Sequence, residues 1–186
     1  MQNQLSQFIL RKIAQLDKKD DSYSKAACAK LRRAVGKSAE ESPDVWEITL
    51  QGAPEQKNLR EIIHTTLTLY ALHCQGKDES MNDDTTGFGT AVAKLIETDG
   101  KNETAIRRRF NAISTASEFS EIAYHARSLI QLLRTKNVKM NYVRFANDLY
   151  AFQNPEYTNK IRLKWGEEFY KTNFVEEIQI ERKEEK

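Results

Sequence analysis

Three arginines in succession, Arg107, Arg108 and Arg109, interrupt an apolar series made by Ile106, Phe110 and Ile113. At about 100° per residue on a helix, that series points inward, Arg108 lies almost opposite it, and Arg107 and Arg109 border it. Three guanidinium groups therefore fan across one exposed surface. Arg127 and Arg134, seven residues apart, share one side of a later helix, and Arg144, Lys160, Arg162 and Lys164 belong to the next two. An earlier concentration holds Lys18, Lys19, Lys25, Lys30, Arg32, Arg33 and Lys37, with only Asp20 and Asp21 as counter-charges. Long cationic side chains spread in this way suit a phosphate backbone, because each neutralised phosphate releases counterion and the contributions accumulate. No aromatic RNA-recognition motif and no recognition helix accompanies them, so the chemistry expected is sequence-independent backbone binding. For any single arginine a solvated or ion-paired role competes with a phosphate contact.

Other chemistries are poorly supplied. His64, His73 and His125 stand in no HExxH arrangement and near no regular Cys or Asp set, so neither a metal site nor a general base is expected. His64 and His73 fall in an apolar helical stretch, where a hydrogen-bonded structural histidine is the simpler reading. Asp20-Asp21 and Asp83-Asp84 sit in polar turns, with nothing to hold paired carboxylates dry and split their pKa values. Gly87-Phe88-Gly89 lacks the lysine and strand context of a phosphate loop and reads as a turn that starts a helix, its glycines permitting close backbone approach. Cys28 and Cys74 are far apart in sequence and form no CxxC pair, which fits buried reduced thiols. A non-enzymatic protein without cofactor is expected.

The net charge of +2 conceals an asymmetry: residues 101–172 carry 13 Lys and Arg against 7 Asp and Glu, whereas residues 1–100 carry 13 against 15. The excess lies where the arginine clusters lie. With 39% hydrophobic and 30% charged residues in 186, the composition is that of a soluble domain of ordinary size. No apolar run approaches the roughly 20 residues of a membrane span, and residues 1–10 do not read as a secretory signal. A cytoplasmic protein is expected.

The elements that must position the basic residues are helical throughout. Leu5, Phe8, Ile9, Ile13 and Leu16 mark a first helix, and Ala27, Leu31, Ala34 and Val35 a second over 23–35, capped by Ser22 and stopped at Gly36. Residues 38–58 read as an irregular connector in which Val45, Trp46, Ile48 and Leu50 must nevertheless find burial. A helix over 59–74, a polar and mobile loop over 76–86 and a short helix over 89–98 complete an N-terminal lobe, 1–98. A basic C-terminal lobe, 99–172, holds four helices: one capped by Asn102, one opened by Ser117 with Glu118 and Glu121 and ended by Asn137, one capped by Asn141, and one opened by Thr158 after the Asn154-Pro155 break. The tail, 173–186, is charged and without a wide apolar face. The fold class expected is all-α, about eight helices in two small bundles.

The order of five segments then carries a resemblance: AKLRRA at 29–34, TTGFGTAVAKL at 85–95, RRRFNAI at 107–113, HARSLIQLLR at 125–134 and KIRLKWGEEFY at 160–170. Together they resemble the CasB family, the small subunit of Cascade, the type I-E CRISPR surveillance complex. The match extends over roughly 5–172; the 38–58 connector and the tail are not characteristic. The resemblance implies two helical bundles, no catalysis, and two copies of the chain packed in tandem beside the crRNA-bearing subunits. Its expected partners are the other Cascade subunits, crRNA and target DNA, and its expected role is to hold phosphate backbone and stabilise the R-loop while base pairing reads sequence. Carried over by position, backbone contact falls first to Arg32, Arg33, Arg107, Arg108 and Arg127, and secondarily to Lys57, Arg134, Lys160 and Arg162. Two alternatives remain open at this level: a freestanding helical nucleic-acid-binding regulator, which would bind DNA alone, and a structural helical adaptor, which would assemble without needing its arginines.

Overall fold

A helix that is apolar all round has to be surrounded by others. Between Ile62 and His73 the sequence carries no Asp, Glu, Lys or Arg, and in the computed structural model of the chain the helix α4 (Leu59–His73) has all of these residues buried. The structure describes the backbone of residues 2–18 and 20–184 and the side chains of residues 3–18 and 20–172. Around α4 pack α1 (Gln2–Leu16), α2 (Ser22–Arg33), α3 (Trp46–Leu50), α7 (Phe119–Lys136) and α8 (Tyr142–Phe152). A second layer is formed by α5 (Phe88–Ala93), α6 (Glu103–Thr115) and α9 (Pro155–Glu184), with α5 lying along α9. The described residues contain no strand beyond one isolated bridge between Asn82 and Met140, so the protein is all-α. None of their helices is long and apolar enough to cross a membrane.

The one-sided stripe expected on α4 therefore widens to the whole helix, and its two histidines are buried inside it. His64 Nε2 lies 3.0 Å from the Lys37 carbonyl oxygen, and His73 Nδ1 lies 3.0 Å from the Tyr142 hydroxyl. Burial pushes the pKa of His73 down to about 4. Its neutral form is thus the folded form. Because the unfolded chain takes up this proton near pH 6.5, the contribution is complete above that value and is lost as pH falls towards 4, roughly 3 kcal/mol in all. Urea unfolding across pH 7 to 4 should show this loss in the native chain and a shallower slope in His73→Gln.

Buried aromatics join α5, α8 and α9. Phe88 packs 4.9 Å from Trp165 and 5.1 Å from Phe145, while Phe110 of α6 stacks on Phe169 at 4.2 Å. Trp165 donates from Nε1 to the buried Asp148 at 2.9 Å, and Lys164 reaches the other oxygen of that carboxylate at 2.5 Å. Close approach of α5 to α9 requires glycine at 89. A Cβ there would stand 2.8 Å from Cβ of Glu168 and closer still to the Trp165 carbonyl oxygen, and the Gly89 N–H donates to Glu168 Oε2 at 3.1 Å. Glu168 is also the partner of Arg144, so one carboxylate ties three helices. The buried side chains of residues 1–98 and 99–172 meet in a single contiguous cluster.

Several local expectations are corrected. Asp21, not Ser22, caps α2, accepting from the Ser24 N–H at 2.9 Å, and the helix ends at Arg33. The connector contains a 3-10 turn at Pro43–Val45 and α3; Val45 and Ile48 are buried as expected, but Trp46 and Leu50 are 44% and 37% exposed. Asn102 precedes α6 without capping it, because its side chain turns back to Leu95 O and the Glu97 N–H. Residues 76–86 are pinned rather than loose: Met81 and Thr86 are buried, and the backbone bonds to Met140 and Asn141 at 2.8–3.1 Å. Pro155 opens α9, the position where a missing N–H costs nothing, and Thr158 lies within it. Its backbone runs to Glu184, so the tail from 173 continues α9; the side chains of that tail lie outside the described residues.

Candidate nucleic-acid interface

On α2 the buried positions are Ser24, Ala27 and Leu31. Measured from Leu31 at about 100° per residue, Val35 and Arg32 turn to one flank, and Arg33 points almost straight away from the core. That flank faces the end of α1, where Ser24 and Cys28 bond to the Gln15 and Leu16 carbonyl oxygens. Beyond the end of α2, the segment 35–41 and α7 line a cleft over α4 to which Thr65, Thr68 and Leu69 contribute. This cleft has a volume of about 490 Å³ and is walled by Val35 on one side and Tyr124 and Arg127 on the other.

Arg127, one of the residues expected to hold backbone, lines this cleft. Gly36, at φ +86°, turns the chain out of α2, and the Arg127 guanidinium lies against it, Nη1 standing 2.9 Å from where a Cβ would be. Arg134, two helical turns farther along the same side of α7, reaches Gln75 Oε1 at 2.6 Å, just past the end of α4. At that end Arg32 and Lys25 line a smaller hollow with Lys77, whose ammonium is held by the Asn137 side chain. The cations also complement the carbonyl ends of α2 and α4, a structural role that by itself needs no ligand. Arg32, Arg127 and Arg134 form no ion pair with the described residues, so none of those residues neutralises their charge.

Residues 27–170 match the family model of CRISPR-associated protein Cse2. The chain belongs to this family, whose members are also called CasB. Its fold agrees with that of CasB from Thermobifida fusca, 28% identical, with a TM-score of 0.77 over 89% of this chain and 97% of that one. A chain of a CRISPR RNA-guided surveillance complex, 18% identical, superposes with a TM-score of 0.78 over 95% and 99%, and CasB from M. ruber, 23% identical, with 0.69 over 94% and 97%. At those lower identities the likeness is one of fold. No curated protein is significantly similar in sequence.

The remaining candidates of this Cse2 family member are dispersed. Arg107 is paired with Glu103 at 2.5 Å and stacks its guanidinium over the rings of Tyr170 and Phe169, at 5.1 and 5.8 Å. Arg162 donates to the Ala116 carbonyl at 2.7 Å and lies over Phe152, tying α9 to the end of α6. Both spend much of their bonding capacity inside the fold. Arg108 on α6 is exposed, as the helical-wheel reading expects, and Arg33 is exposed on α2. Lys57 is exposed ahead of α4, and Lys160 lies 5.0 Å over the Tyr157 ring. Two residues that line these separate hollows escaped sequence reasoning. Lys77 sits in a loop with no periodicity to orient it. Tyr124, 72% exposed, was legible as an aromatic placed about 200° from Ile122, on the polar side of α7. Among the described residues no group of three His, Cys, Asp or Glu could hold a metal ion.

Proposed function

We propose that the chain is the small, non-catalytic subunit of a type I-E Cascade complex, acting in the cytoplasm, and that it holds nucleic-acid backbone to stabilise the R-loop. The observation that carries this reading is that Arg127 lines an open cleft beside α4, while Arg134 at Gln75 and Arg32 in a separate hollow with Lys77 stand near the end of the same helix, none of the three ion-paired among the described residues. A strand running past these three cations would offer them successive phosphates, and no base-reading group is needed. Arg33, Arg108, Lys57 and Lys160 extend the positive surface for a second strand or for crRNA. Membership of the Cse2 family and the likeness to a chain of a surveillance complex support the assembly context. Two copies in tandem would lengthen the positive surface along the guide.

The test is co-purification of the tagged chain with the other Cascade subunits and crRNA, followed by target-duplex binding with and without it. Entry into the complex, together with weaker R-loop retention when the chain is omitted, is the expected result. Tight DNA binding by the isolated chain with no entry into the complex would instead support a freestanding regulator, and assembly without any effect on target binding would support an adaptor.

A further inference from the structure

We propose that the cleft between the segment 35–41 and α7 seats one unstacked nucleobase on the ring of Tyr124 while Arg127 holds its phosphate; this deepens the backbone-binding reading and rests on it. Tyr124 bares 72% of its surface on α7, whereas most other large apolar side chains of the helix are buried or half-buried. Arg127 follows it by three residues, which places ring and guanidinium on the same side about 5–6 Å apart at Cβ, comparable with the span from a base to its own phosphate. A bared aromatic beside a cation is the arrangement by which single strands are bound, since every base offers a π-face whatever its identity.

The cleft suits such a guest. Its volume of about 490 Å³ admits a base and part of its sugar, and its surface is mostly apolar, with Val35, Leu69 and Phe119 among the residues that line it beside Tyr124. Polar edges are present too. Thr65 is at the floor, and His64, 1% exposed and also on the floor, has an Nδ1 with no hydrogen-bond partner among the described residues. The two carboxylates at the rim are already committed. Glu61 accepts from the Ala39 N–H at 2.8 Å, and Glu41 accepts from both the N–H and the hydroxyl of Ser38, at 3.0 and 2.9 Å. They therefore brace the turn after Gly36.

The experiment compares binding of the full chain to two single strands of equal length and charge, one carrying thymine bases and one abasic, by fluorescence anisotropy. The native chain should prefer the base-bearing strand by about tenfold, within the range of one stacked base. Tyr124→Ala should remove that preference, Tyr124→Phe should keep it, and Arg127→Ala should weaken both strands alike. Equal binding of the two strands by the native chain, or a preference that survives Tyr124→Ala, would overturn the base seat while leaving backbone binding intact. Failure to bind either strand would remove the backbone reading and the seat with it. A Tyr124→Ala chain that keeps the base preference but no longer joins the other Cascade subunits would show that the cleft receives a protein side chain instead.

Discussion

Replacing Arg32, Arg127 and Arg134 together by Ala should weaken binding of a single strand on the order of a hundredfold while leaving the fold intact. The estimate takes about 1 kcal/mol for each lost charge-assisted contact, at the lower end because these sites are open to solvent and screened by salt. It also predicts a change in salt dependence, since three fewer neutralised phosphates lower the slope of log K against log salt by about 2 for a single strand. Binding titrations at several salt concentrations check both. Stability should change little, because Arg127 is exposed and Arg32 and Arg134 are only half-buried, all three off the core stripes; Arg134 loses one bond to Gln75. A variant that unfolds would mean that the helix faces are misassigned. One that folds and binds as before would place the strand elsewhere, on the exposed surface around Arg108 for example.

The second large effect is on stability, at Gly89. Gly89→Val introduces atoms where the Trp165 carbonyl already stands, and neither partner can yield cheaply, because one is the backbone of α9 and the other the Cβ of Glu168. Either α5 moves off α9, uncovering Phe88 and Trp165, or both helices distort. A loss on the order of 3 kcal/mol is expected, corresponding to roughly 6 to 12 °C in Tm for a chain of this size. Gly166 in the same helix pair provides the contrast. A Cβ there meets nothing within 4 Å, so Gly166→Ala should be neutral or should stabilise by up to about 1 kcal/mol through helix propensity. Urea denaturation of the two variants measures both signs in one experiment. If Gly89→Val unfolds at the same urea concentration as the native chain, the close approach of α5 and α9 is wrong.

Much of this was legible along the chain. The inward residues of α6, α7 and α8 are those their spacing singled out, and Ile122, Ala126, Leu129, Ile130 and Leu133 are all buried on α7. Asn137 ends α7 in the left-handed conformation, at φ 56°, and Asn141 caps α8 through the Arg144 N–H. The errors have a common source. Ser22 and Asp21 are adjacent cap formers, and only the bond from the Ser24 hydroxyl to the Gln15 carbonyl, which fixes how α2 leaves α1, shows why the cap falls at Asp21. The 76–86 loop looked mobile because its polar residues have no periodicity, yet Met81 and Thr86 are held by a segment some 60 residues away.

By itself the sequence determined the helical class, the faces of most helices, the absence of recognised catalytic motifs and, through five ordered segments, the family. These follow from local rules, since periodicity, caps and charge are properties of neighbouring residues. Which cations act together was decided only by the tertiary structure. Arg127 is brought against Gly36, 91 positions away, and Arg134 to Gln75 at the end of α4, because α7 packs on α4, which is buried on every side. Arg107 and Arg162, equally basic in the sequence, are turned to partners within the fold by the same packing. Charge is encoded residue by residue, but its position relative to another charge depends on the helix that lies between them.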